Sequence, residues 1–139
     1  MSWSIMYRRK LKHSRVKNLF KFVSAKMNQV MTVESYLEFD TCFHLEYSSS
    51  ITSFIAQPEG FIYHLDEQDL PYTPDFQIVE NDTAKWIEVK PFAKTLNPDF
   101  LHRFKAKQEK AQKLGTPLIS IVKALLAFIW VSKSLVIIR

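Results

Sequence analysis

Two runs of alternating apolar and polar residues, Asp75 to Glu80 and Ala84 to Val89, flank the turn residues Asn81-Asp82-Thr83. Nothing else in the chain limits the fold so strongly. A turn signal between two such runs predicts an antiparallel hairpin, in which the positions of paired residues keep a constant sum. A turn centred near Asp82 sets Asp75 opposite residue 88 or 90. Glu88 and Lys90 lie two apart on one strand and share a face. Asp75 joins that face if its partner is even-numbered. Phe76, Ile78, Ile87 and Val89 then fall on the opposite, core-facing side. Two acids and one amine therefore converge above a rigid apolar support.

That trio suits phosphodiester hydrolysis. Asp75 and Glu88 offer hard oxygen ligands for Mg²⁺, with Mn²⁺ as a substitute. The cation would polarise a phosphate and acidify a bound water. The Lys90 ammonium can orient that water or balance charge in the transition state. The same residues also suit a cross-strand ion pair on an exposed sheet face, a common arrangement that contributes little. Pro74 directly before Asp75, Pro91 directly after Lys90 and a basic N-terminal stretch favour the site.

The 139 residues suit one domain. Thr32 is expected to cap a helix running to about Tyr47, with Glu34 in its first turn and Val33, Leu37 and Leu45 on an inward stripe. Strands are expected at Ile51 to Gln57, Phe61 to Leu65, Asp75 to Glu80, Ala84 to Val89 and Leu118 to Val122, with Asp66 to Pro71 read as a polar turn. Asn97, Pro98 and Asp99 open a second helix that Gly115 can end. This order predicts an α/β fold with helices packed on a sheet. The expected division is a basic arm over residues 1–31, a core over 32–122 and an apolar tail over 123–139.

The net charge is +5, and no acidic residue precedes Glu34. Arg8, Arg9, Lys10, Lys12, Arg15, Lys17, Lys21 and Lys26 make that arm a candidate contact for double-stranded DNA, against the alternative of a solvated extension. Arg103, Lys107 and Lys110 form a basic stripe on the second helix, suited either to phosphate contact or to solvent. Trp86 shares the strand face of Glu88, where it lines a cleft or packs as a core aromatic. The single cysteine, Cys42, rules out an intrachain disulfide framework, and His13, His44, His64 and His102 lack zinc-ligand spacing. A reducing, cytoplasmic setting fits. The N-terminus has no secretory h-region, and Lys123 and Lys133 interrupt the C-terminal apolar runs well short of the roughly 20 residues of a membrane span.

Pro74-Asp75 followed by Glu88-Val89-Lys90 resembles the PD-(D/E)-x-K nuclease signature. A longer series resembles the N-terminal catalytic domain of TnsA-type transposon endonucleases: Val33 to Glu38, Gln57-Pro58, Tyr72 to Phe76 and Ile87 to Pro91, in the family's order across roughly residues 25–122. The resemblance implies a restriction-endonuclease-like mixed sheet flanked by helices. It also implies a third acid from the first helix, matched by Glu38, with Glu34 as the competitor. Gln57 matches a position near the cleft, although a strand-end polar residue explains it equally. By the same resemblance, a bacterial, cytoplasmic enzyme of this kind cuts the 5′ ends of a transposon beside a DDE transposase subunit (TnsB-like) and an AAA+ regulator (TnsC-like). The alternatives are a restriction or repair nuclease and a DNA-binding remnant that no longer cuts. Family members carry a second, C-terminal domain, which residues 123–139 do not resemble; a truncated copy or a short relative is the resulting expectation.

Overall fold

The computed structural model describes residues 6–7, 18–123 and 136–138. In chain order the elements are β1 (Met6–Tyr7), β2 (Phe20–Ser24), β3 (Gln29–Val33), α1 (Tyr36–Tyr47), β4 (Ile51–Ala56), β5 (Gly60–Leu65), β6 (Gln68–Tyr72), β7 (Phe76–Glu80), β8 (Thr83–Pro91), α2 (Phe92–Thr95), α3 (Pro98–Lys113), β9 (Leu118–Lys123) and β10 (Val136–Ile138).

The β7–β8 hairpin forms as the sequence implies. Asn81 and Asp82 both take positive φ, 49° and 63°, and join Glu80 to its partner Thr83. Asn and Asp tolerate this conformation, and a two-residue turn of this hand matches the twist of the strands it joins. The register pairs Phe76 with Ile87. One further step along it sets Asp75 opposite Glu88.

This hairpin lies inside a mixed five-stranded sheet of order β10-β9-β8-β7-β4. β8 and β9 run parallel, and the crossover between them carries α2 and α3. Trp86, Ile87, Glu88 and Val89 are all buried, so central β8 is covered on both faces. On one face Ile87, Val89, Phe76, Ile78, Ile119 and Ile121 meet Cys42 and Leu45 of α1. On the other, Trp86 and Leu118 meet Phe61, Tyr63 and Tyr72, with Phe104 and Ala111 of α3. The fold is thus α/β and restriction-endonuclease-like, with helices on both sides of a mixed sheet.

Several elements differ from the expectations. Phe20–Val33 is a β2–β3 hairpin that sends Phe22, Met31 and Val33 into the first core, where a basic arm was expected to end. Thr32 therefore sits in β3, and Ser35 caps α1 by accepting from the Glu38 amide at 3.1 Å. Glu34 precedes the helix, and Val33 reaches the core from a strand. Lys26 is committed to structure: its Nζ donates to the carbonyls of Leu45, Ser48 and Ile51 at 2.7, 2.9 and 2.6 Å, closing the C-terminal end of α1. Asp66 to Pro71 is largely strand. Asp66 and Glu67 make a second tight turn with positive φ, and Gln68–Tyr72 returns as β6 against β5.

The second long helix follows its sequence signals. Asn97 accepts from the Asp99 amide at 2.8 Å, Pro98 begins α3, and Gly115 follows it at φ 88°. Among the described residues no helix is long and apolar enough to cross a membrane.

Candidate active site

The sheet edge at the start of β7 and the end of β8 opens into a cleft of about 490 Å³ whose walls include Glu34, Glu38, Tyr72, Asp75, Glu88 and Lys90. Each functional side chain arrives from a different local cause. Glu38 is in the first turn of α1, where its Oε2 accepts from the Glu34 amide at 2.8 Å. Ser35 and Glu38 thus form a close variant of the capping box, with the acid satisfying the amide just before the cap. Asp75 follows Pro74 at the entry to β7; its amide donates to the Ile87 carbonyl at 2.9 Å, and its Oδ2 accepts from the Val89 amide at 2.7 Å. Backbone on both sides of Glu88 therefore fixes Asp75.

Glu88 is buried, and both of its oxygens have neighbours. Oε2 accepts from the Tyr72 hydroxyl at 3.1 Å. Oε1 lies 3.6 Å from Lys90 Nζ and 4.0 Å from Lys107 Nζ. Burial raises the Tyr72 phenol well above its ordinary range, with the Glu88 and Asp75 charges adding to the effect. The hydroxyl therefore stays a donor at neutral pH.

The three acids act on one another. The Asp75 carboxyl is raised well above the usual carboxylate range by burial first, then by a shared hydrogen bond and charge repulsion with Glu38, then by the Glu88 charge; only the Val89 amide opposes this. Mutual repulsion of acids in a half-buried cleft is what a divalent cation would relieve, so the donor chemistry suits a hard oxygen-seeking ion. The side-chain positions are less complete. Among the described residues no three acids, histidines or cysteines stand as a ready-made ligand group. Glu38 is turned onto the Glu34 amide and Asp75 onto the Val89 amide. Glu38, Asp75 and Glu88 all line the cleft and Glu38 interacts with Asp75, but their carboxylates do not stand together as a ligand group.

The other expected residues divide. Arg8, Arg9, Lys10, Lys12, Arg15 and Lys17 lie outside the described residues. Gln57 ends β4 at φ 51°, and its amide donates to the Asp75 carbonyl at 2.9 Å; it is not among the cleft-lining residues. Trp86 packs 5.0 Å from Phe61 in the second core and does not line the cleft. Arg103 is exposed on α3 and Lys110 half-buried. Lys107 leaves the expected stripe: its side chain is 14% exposed and points to Glu88.

Sequence reasoning missed the role of Tyr72. It noted the residue only within a motif, because nothing local says that β6 brings its hydroxyl to Glu88. Lys94, which also lines the cleft, had no signal beyond its position four residues after Lys90.

A mixed sheet clasped by helices, with acids and a lysine meeting at the edge of its central hairpin, defines a nuclease-type α/β domain. The family described as TnsA-like endonuclease N terminal matches residues 48–122, more than half of the chain, and the chain belongs to that family. It is a nuclease of the TnsA type, from a class tied to transposition of DNA. No curated protein matches the chain.

Proposed function

We propose that the protein is a divalent-cation-dependent DNA endonuclease that cuts the 5′ ends of a transposon during cut-and-paste transposition. Glu38, Asp75 and Glu88 are its ligand-bearing acids and Lys90 its reactive-site ammonium. The single observation that carries this reading is the meeting of these four residues, drawn from α1, β7 and β8, in one cleft.

Mg²⁺ at that position, or Mn²⁺ in its place, would polarise the scissile phosphate and acidify a bound water. The chain's own residues do the rest. Asp75 is held by the Val89 amide and Glu88 by the Tyr72 hydroxyl, so two carboxylates face the cleft from fixed backbone. Glu38 joins them by giving up the Glu34 amide, at a cost of about 1 kcal/mol, the usual value of such a cap. Lys90, with 32% of its side chain exposed, can swing from Glu88 to hold the attacking water or a non-bridging phosphate oxygen. Water oxygen then bonds to phosphorus, giving up a proton to solvent, as the P–O bond to the leaving strand breaks and the departing oxygen takes up a proton from solvent.

The substrate is double-stranded DNA, gripped by phosphate contacts from Arg103 and Lys110 on α3 and from the basic N-terminal residues. Family membership supports a DDE transposase subunit (TnsB-like) and an AAA+ regulator (TnsC-like) as partners, and a bacterial cytoplasm as the setting.

The test pairs a binding measurement with a cutting assay. Calorimetric titration with Mn²⁺ is expected to show uptake by the wild type. Asp75→Ala should weaken it by at least the roughly 10–100-fold seen when supporting shells of metal sites are removed. Plasmid carrying transposon ends, with Mg²⁺ and the transposase subunit, should be nicked by the wild type and not by Asp75→Ala. Equal uptake and equal nicking by both proteins would refute the assignment.

A further inference from the structure

Lys107 is a half-buried cation that the proposed reaction does not use. Its ammonium sits 4.2 Å from the centre of the Tyr72 ring and 5.8 Å from that of Tyr63. It lies 4.0 Å from Glu88 Oε1, the oxygen that Lys90 approaches at 3.6 Å. It does not line the acidic cleft, so it meets Glu88 from the side of α3 and the second core. A lysine in a solvated stripe needs none of this. Withdrawing an ammonium from water is unfavourable, and here two aromatic faces and one carboxylate offset the cost. Burial accordingly lowers the Lys107 pKa, with the Glu88 charge opposing.

We propose that Lys107 is a positioning residue for Glu88: with Tyr72 it fixes the carboxylate that the cleft presents, and its charge competes with an incoming divalent cation for that carboxylate. Tyr72 serves twice in this frame. Its ring face carries Lys107, and its hydroxyl holds the other oxygen of Glu88 at 3.1 Å. Clamped at both oxygens, Glu88 is restricted in rotation. The same ammonium repels a second positive charge a few ångströms away, which keeps cation binding weak enough to be exchangeable. The proposal rests on the reading that Glu88 belongs to a cation site.

Positioning and repulsion give opposite signs, which makes the test discriminating. Lys107→Met keeps an unbranched chain over Tyr72 and removes the charge, Lys107→Arg keeps the charge, and Lys113→Met makes the same charge change at an exposed site on α3. Mn²⁺ affinity is measured by calorimetry on the full chain, and single-turnover nicking is measured with the transposase subunit. Lys107→Met is expected to bind Mn²⁺ on the order of tenfold tighter, from the lost repulsion at a partly screened site. It should cut more slowly, with its KM for DNA unchanged. Lys107→Arg should restore both values, and Lys113→Met should match the wild type. Should Lys107→Met fail to fold, Lys107→Gln carries the same comparison. A purely structural lysine would, when removed, weaken Mn²⁺ binding in step with the melting temperature; that result, or unchanged affinity, overturns the proposal. Absence of Mn²⁺ uptake by the wild type overturns the cation site and this inference together. Uptake by the wild type, with Lys107→Met equal to Lys113→Met, overturns this inference alone.

Discussion

Replacing Tyr72 with Phe removes one hydroxyl from the wall of the cleft and leaves the ring that packs against Phe61, Tyr63 and Lys107. The lost interaction is the 3.1 Å bond to Glu88 Oε2. A hydrogen bond to a buried charged group is worth roughly 1.5–3 kcal/mol, but a hydroxyl–carboxylate pair at full strength is closer to 2.6 Å. The observed length places this one near the bottom of the range, so Tyr72→Phe should destabilise the fold by about 1–2 kcal/mol. For a chain of this size that lowers the melting temperature by roughly 3–8 °C. Thermal unfolding in EDTA, followed by circular dichroism, measures it. Because the phenol is raised well above its ordinary range, the loss should persist to mildly alkaline pH. A cycle with Glu88→Gln isolates the contact: a neutral amide accepts about half as strong a bond, leaving a coupling of roughly 0.5–1 kcal/mol. Strictly additive single and double variants would refute the claim that Tyr72 holds Glu88.

Other substitutions test other parts of the structure. Asp75 has a raised folded-state pKa, so its stabilising contribution is complete below the unfolded aspartate range and is lost as pH rises through the folded value. In EDTA the stability of the wild type relative to Asp75→Asn should therefore fall from acidic toward neutral pH in urea titrations; parallel profiles would contradict it. Lys26→Met deletes three donors at the end of α1 and should destabilise by roughly 1–3 kcal/mol, discounted for partial exposure, without changing nicking per folded molecule. Gly60→Ala would drive a Cβ into the Tyr72 carbonyl and to within 2.9 Å of Thr73 Cα, both backbone, so soluble yield should collapse or stability fall by more than about 3 kcal/mol. A variant that melts like the wild type would show that β5 and β6 can part.

How much the sequence reveals depends on how local each cause is. The turn at Asn81-Asp82 and the two-residue period of its strands set the Asp75, Glu88 and Lys90 constellation, and the apolar alternation of Phe76, Ile78, Ile87 and Val89 gave the core side correctly. Asn97, Pro98 and Gly115 marked the ends of α3 because capping and positive φ are local demands. The Ser35-x-x-Glu38 spacing was a legible capping signal too, but Thr32 offered a rival start, and only the pairing of β3 with β2 excludes it. Lys26 and Lys107 look in sequence like members of basic stretches. Partial burial and distant partners, three carbonyls for one and Tyr72 with Glu88 for the other, take them out of those stretches.

The sequence by itself determined which side chains can do chemistry and which face of one hairpin they share, since both follow from residue type and strand period. Tertiary structure alone decided that α1 brings Glu38 to Asp75, that β6 hands a hydroxyl to Glu88, and that α3 turns one lysine inward. Those contacts join residues far apart in the chain, and their geometry is set by how helices pack on the two faces of the sheet, which no local pattern encodes.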